Sequence, residues 1–340
     1  MARFGILLVA SAFLWVPGAS FAADLPPSWA YGYTEPPSAL GQSPRPAGRG
    51  GAPGPAQTAA RDEHLLHLEG SDRAFTYSQL WTHWPPGPGD WFPNDHPKMP
   101  DIVAQGRRPD VDACASCHYP NGKGKSENAG VAGYSVEYFI QTMHDFRDGL
   151  RHSADPRKTN SNTMVRIAKG ITEEELKTAA EYYGSMKWTP WIKVIEADMV
   201  PKTRAQGGLF LTLDGNGKEP LGNRILETPV NTEQTEIYKN PRSGFFAYVP
   251  VGSLKKGEAL VKTGAGKAIA CGMCHGADLR GMGPVPGLAG RSPSYEMRQL
   301  WDMQQGTRKG KWTELMKPVI TNLSVDDMTA IVAYTASLAP

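Results

Sequence analysis

Cysteine is scarce in this chain, with four in 340 residues. Charge of one sign is lacking too: 36 Lys/Arg stand against 34 Asp/Glu, for a formal net charge of +2. Without a basic excess the chain lacks the electrostatic footprint of a nucleic-acid binder. Long apolar runs are also missing. The stretch Gly5 to Val16 falls short of the roughly 20 residues that a membrane span needs, so no transmembrane span is expected in the mature chain. Arg3 ahead of that stretch and Ser20-Phe21-Ala22 behind it have the form of a secretory signal cut after Ala22, which predicts residues 1–22 as signal peptide and the periplasm as the location. Glycine (37) and proline (29) are plentiful, so much of the backbone should be loop. The length suggests two to three domains.

All four cysteines fall in two copies of Cys-x-x-Cys-His: Cys114-Ala115-Ser116-Cys117-His118 and Cys271-Gly272-Met273-Cys274-His275. This is the attachment signal for c-type haem. Two thiols three positions apart can each add to one porphyrin vinyl group, and the histidine that follows is held under the iron as its proximal ligand. The alternatives fit less well. A Cys₄ zinc ribbon usually sets its pairs roughly 15–20 residues apart, and these lie 157 apart, each followed by histidine. A thioredoxin-like motif needs a βαβ pattern, which the sequence does not show. Disulfides between neighbouring cysteines would leave both histidines unexplained.

The spacing of 157 aligns more than the motifs. Ala132-Gly133 falls on Ala289-Gly290, Ser135 on Ser292, Tyr138 on Tyr295, Asp145 on Asp302, Gly149 on Gly306 and Arg151 on Arg308. After a five-residue loss the offset becomes 152, and Met164 meets Met316, Tyr182 meets Tyr334 and Ser185 meets Ser337. A fixed offset means a duplicated unit. Each copy reads as a helical series: a short helix ahead of the motif (100–105; 257–262), a second helix capped by Ser135 or Ser292 and ended by Gly149 or Gly306, and a last helix. Pro293 suits the first helical position. The last helix opens with the capping-box pair Thr172/Glu175 in copy one and a weaker Ser324/Asp327 in copy two.

Met164 and Met316 occupy equivalent places ahead of the last helix, in stretches that read as loops. Methionine opposite histidine closes both axial positions of a haem iron and raises its reduction potential. A lone methionine would read as packing; a matched pair in a repeat reads as ligation. Of the other candidates in copy one, Met143 reads as core and His144 as surface or interface, with Met186 and His152 as further competitors.

These residues resemble the dihaem class I c-type cytochromes over about 100–187 and 257–340. The resemblance implies a mainly α fold of two tandem class I cytochrome c domains and two covalently bound haem c groups. Cys114, Cys117, Cys271 and Cys274 take the thioether positions, His118 and His275 the proximal iron-ligand positions, and Met164 and Met316 the distal ones. The family often has a proline carbonyl accepting the proximal histidine's Nδ1–H. Pro286 fits that place; copy one has Ala129, so the two haems need not share one potential.

The remainder divides into an irregular N-terminal extension, 23–99, and an inter-domain segment, 188–256. The extension opens with Trp29, Tyr31 and Tyr33, continues through a Pro/Gly/Ala-rich linker from Pro36 to Ala60, and ends in Phe75, Trp81, Trp84, Trp91 and Phe92 among prolines. It is expected to pack over the first haem domain; a docking segment for a partner is the sharper alternative. His64, His67, His83 and His96 have no diagnostic metal spacing. The inter-domain segment predicts a small β-hairpin, 208–213 returning through 224–227 around the turn 214–217, with a further β-prone run at 245–251. A calcium loop starting at Asp214 lacks its later ligands.

Closed iron sites favour a periplasmic electron carrier rather than an enzyme. Its expected partners are redox proteins, a periplasmic dehydrogenase or a membrane respiratory complex. The rival is a dihaem oxidoreductase: peroxidases leave one iron open, and thiosulfate-oxidising enzymes use a cysteine ligand, for which this chain has no fifth cysteine. A cytochrome subunit of a dehydrogenase complex is a variant of the carrier. A structural or sensory haem protein ranks behind these, because it would not need two such sites.

Overall fold

In the computed structural model residues 26–37, 64–215 and 217–340 are described. The expected signal segment, most of the 36–60 linker and Asn216 of the predicted turn lie outside them. The helices, in chain order, are α1 (Tyr77–Trp81), α2 (Asp101–Ala104), α3 (Cys114–His118), α4 (Val136–Arg147), α5 (Thr159–Gly170), α6 (Glu173–Gly184), α7 (Thr232–Glu236), α8 (Ser253–Thr263), α9 (Gly272–His275), α10 (Pro293–Gln304), α11 (Lys317–Ile320) and α12 (Val325–Ser337). None of the described helices is long and apolar enough to cross a membrane.

The repeat is visible in three dimensions. Helices α2 to α6 and α8 to α12 run in the same sequence around each Cys motif. The outer pair packs together in both copies, α2 on α6 and α8 on α12. Copy one buries Val103, Val111, Leu176 and Tyr183; copy two buries Val261, Met297, Trp301 and Met328. The capping residues act as their sequence implies. Ser135 accepts from the Tyr138 N–H, Ser292 from that of Tyr295 with Pro293 in the first turn, and complete capping boxes form at Thr172/Glu175 and Ser324/Asp327. Gly149 and Gly306 both take φ 72° just beyond their helices, where a Cβ would be strained.

The two copies meet through equivalent residues. Arg151 and Arg308 form an antiparallel bridge. The N–H of His152 donates to Thr307 O at 2.9 Å, and that of Lys309 to Leu150 O at 2.8 Å. Arg151 donates to the Tyr295 hydroxyl and Arg308 to the Tyr138 hydroxyl, both at 3.1 Å. A contact in which residue i meets j and j meets i is the signature of a two-fold relation, here between two halves of one chain.

Three expectations are corrected. Met164 lies inside α5 rather than in a loop. Asn160, Ser161, Asn162 and Thr163 are poor helix formers, but α5 packs against α4 and buries Ile167 and Ala168, and that burial overrides propensity. The inter-domain segment is not a single hairpin. Residues 209–212 pair with Thr203–Gln206, and Met199–Pro201 pairs with Lys218–Pro220. The segment read as the return strand, from Leu226, instead pairs with Phe245–Val249, which lies parallel to Ile192–Glu196. The extension also divides. Its first aromatics pack on copy two, where the Tyr31 hydroxyl donates to Asp302 at 2.6 Å and Arg298 donates to Ala30 O at 2.6 Å; residues 81–99 pack on copy one.

The cap of α12 also holds a buried charge. Asp327 is 1% exposed and receives Lys256 at 2.9 Å and Lys267 at 2.7 Å. Burial alone would raise its carboxyl, but Lys267, Lys256 and Ser324 more than offset this and hold it well below the ordinary carboxylate value. A group held down in the folded state contributes stability above its unfolded pKa, near 4, and loses it as pH falls below that. Asp327→Asn is therefore expected to cost about 1–3 kcal/mol at pH 7 and progressively less as pH falls below about 4, read by denaturant melts across pH.

Candidate haem-binding sites

Each Cys motif forms about one turn of helix, α3 or α9, which puts thiols three positions apart on one face of it. Cys114, Ala129 and Met164 pack against the apolar core of copy one, and Cys271 and Met316 against that of copy two. Met316 sits where a 3-10 turn ending at Leu315 joins α11, so the loop-like reading fits copy two. Met143 is core and 5% exposed. His144 is partly exposed and faces Glu173 at 3.0 Å.

The donors suit haem c and not a thiolate-bound ion. No pair of cysteines is joined in a disulfide. Burial pushes the Cys114 thiol up to about 12 and that of Cys271 up to about 11. No group of three or more His, Cys, Asp or Glu able to hold a metal ion occurs among the described residues. His83 faces Asp112, and His96 faces Asp90, so these histidines are structural.

The motif histidines are oriented for ligation. His118 Nδ1 lies 2.8 Å from Ala129 O, and His275 Nδ1 lies 2.7 Å from Pro286 O. A carbonyl can only accept, so Nδ1 carries the proton and Nε2 keeps its lone pair. Burial lowers both pKa values, against the opposing effect of those hydrogen bonds, which keeps the rings neutral near pH 7. Replacing proline by alanine leaves the contact intact, so this mismatch does not distinguish the copies.

What does distinguish them is cover. Around the first motif, Lys239 donates to Ser116 O at 2.6 Å, and the Ala113 N–H donates to His83 O at 2.9 Å. Trp81 stacks its ring under both Lys125 and Lys239, at 4.9 and 4.7 Å. Burial and the neighbouring Lys125 ammonium push Lys239 down to about 8. Burial works against the Lys125 charge too, but Glu127 and Glu236 overcome it and raise that pKa. Around the second motif Cys274 is exposed, and Met273 is 71% exposed. Sequence reasoning missed Lys239, His83 and Trp81 as part of this site, because nothing local ties residues 81, 83 and 239 to residue 116.

A family model described as cytochrome c matches residues 254–339. The thiosulfate dehydrogenase electron acceptor of Stutzerimonas stutzeri (strain A1501) is 40% identical over 237 residues, 68% of this chain and 82% of that protein. This chain belongs to the dihaem class I c-type cytochromes. It carries covalently bound haem c. Further similarity is shorter: cytochrome c4 of Pseudomonas aeruginosa is 43% identical over 76 residues, and the cytochrome subunit of sulfide dehydrogenase of Chlorobaculum tepidum is 36% identical over 74. These matches take in 22% of the chain each, and span 36% and 60% of the relatives' own lengths.

In this cytochrome the Lys239 ammonium satisfies a carbonyl inside the first motif that is otherwise closed off from water. Lys239→Ala should strand that carbonyl and cost about 1–3 kcal/mol, measured as a lower denaturant midpoint at unchanged slope. An unchanged midpoint would show that water replaces the ammonium without loss.

Proposed function

We propose that the chain is a dihaem electron carrier of the periplasm, ligated by His118 with Met164 in copy one and by His275 with Met316 in copy two, in domains spanning about 100–187 and 257–340. The observation that carries this reading is the repeat itself. Two oriented histidines and two methionines recur at equivalent positions, each methionine against the core that takes in its copy's first cysteine. When bound, haem c supplies a one-electron ferrous–ferric couple. The residues of the chain hold the histidine rings in one tautomer and would supply a methionine thioether as the second ligand of each iron. Were His and Met both to hold each iron, no position would be left for peroxide or thiosulfate, which supports a carrier over an enzyme.

The donor we propose is a thiosulfate dehydrogenase, by analogy with the relative's name and its match along 82% of that relative. A quinol-oxidising complex is the alternative donor, and a terminal acceptor would take the electrons onward.

Met164→Leu and Met316→Leu should each abolish the Met–iron charge-transfer absorption of one haem while leaving the covalent attachment intact on denaturing gels. If neither variant changes that absorption, the ligand assignment fails. The purified protein should take electrons from a thiosulfate dehydrogenase supplied with thiosulfate and oxidise no thiosulfate by itself. Peroxide turnover at enzymatic rates, roughly 1–10³ s⁻¹, would instead establish a catalytic site.

A further inference from the structure

Both copies of the repeat contain the same groove, and only one copy leaves it open. In copy two a cavity of about 570 Å³ runs beside α9, lined by Val261, Lys262, Met273, Leu279, Tyr334 and Leu338 among others. At the corresponding place in copy one, beside Ala115 and Pro120, about 10 Å³ remains.

The difference is made by the chain's own segments, contact by contact. Ala104, the equivalent of Val261, is met by Gly87, where a Cβ would come within 1.8 Å of its carbonyl oxygen. Ala113, equivalent to Ala270, donates its N–H to His83 O at 2.9 Å. Ser116, equivalent to Met273, takes the Lys239 ammonium at 2.6 Å. Asn121, equivalent to Asp278, donates to Pro241 O at 2.8 Å. Tyr182, equivalent to Tyr334, lies 3.0 Å from His96 Nδ1. Residues 82–96, which supply most of this filling, hold four prolines, two tryptophans and two aspartates and no lysine or arginine.

The surface of copy two matches such an occupant. Of the large exposed hydrophobic side chains among the described residues, none lies in 100–187, whereas Ile269, Met273, Met282 and Leu315 all lie in copy two. Met273 is the one of these four that lines the groove, and apolar surface exposed at a cavity marks an interaction site. Copy two, 257–340, contains nine Lys/Arg and seven Asp/Glu. Burial removes Arg291, Arg298, Glu296, Asp302 and Asp327 from the surface, leaving seven basic side chains against four acidic ones.

We propose that the open groove beside Cys271–His275 is the docking site of a redox protein that presents an acidic, apolar-centred face, and that residues 82–96 fill the corresponding groove of copy one in cis. The proposal rests on the electron-carrier reading and adds a direction to it: partners approach copy two.

The test uses the reduced holoprotein and follows its oxidation by an acidic blue-copper protein and by a small neutral quinone at rising ionic strength. The wild-type rate with the acidic protein should fall as salt screens the basic surface. Lys262→Glu with Met282→Glu should slow that reaction at least tenfold. Leu65→Glu with Lys98→Glu, the same change of charge on the extension beside copy one, should alter it less than twofold. Quinone oxidation should be unchanged in every variant. Equal losses in the two variants, or no loss in the copy-two variant, would overturn the docking site. Sedimentation of a wild-type dimer that the copy-two variant dissociates would make the occupant a second copy of this chain and overturn the partner assignment. A wild-type protein that the quinone fails to oxidise would count against the electron-carrier reading, and the docking proposal would fall with it.

Discussion

Two arginines at equivalent places in the repeat, Arg151 and Arg308, cross between the copies, and each is answered by a tyrosine at an equivalent place in the other copy. Arg151 is buried, and taking a guanidinium out of water is costly unless its hydrogen bonds are replaced. Tyr295 and Gln299 replace them for Arg151, and Tyr138 and Gln299 for Arg308. The bridge between the same two residues fixes the backbones against each other. With the junction pinned, each Cys motif has a set position relative to the other, which is what a two-centre relay requires. A hinge at this point would let the separation between centres vary.

The symmetry stops at that junction. The extension and the inter-domain segment are each present once, and they are placed unequally. Residues 28–31 lie against α10 of copy two through Tyr31 and Arg298. Residues 81–99 and 239–241 lie against copy one, where a buried ammonium meets a carbonyl of the first motif. A haem environment is tuned by burial and hydrogen bonding as well as by ligand identity. Equal ligand sets in the two copies therefore leave room for unequal potentials, and cover, not the Ala129/Pro286 difference, is where the copies diverge.

Much of this was readable from residues alone, for a physical reason. Haem attachment needs two thiols and a histidine within one helical turn, so its signal is local. Helix starts at Ser135, Ser292, Thr172 and Ser324 depend on a side chain reaching the N–H three residues on, which is local too. The misreadings all involve distant partners. Met164 is drawn into α5 by packing on α4. The strand Phe245–Val249 pairs in parallel with Ile192–Glu196, a pairing that needs a long crossover and leaves no turn signal between neighbours. The cover over Ser116 joins residues more than 100 positions apart.

Duplication explains why this cover is informative. Two copies of one unit begin with the same surfaces, so a groove filled in one and open in the other cannot be a generic by-product of the fold. Filling it took a proline- and tryptophan-bearing segment, a buried lysine and several hydrogen bonds at one motif only. Extended segments rich in proline give up little conformational freedom on ordering, which makes 82–96 an inexpensive permanent cover. Copy two keeps an exposed Met273 in the lining of that groove. A solvent-exposed apolar side chain lining an open cavity costs solubility unless something covers it part of the time. A transient electron-transfer complex is such a cover. Its apolar centre can release water on contact, while the basic surface speeds encounter without holding the product complex together.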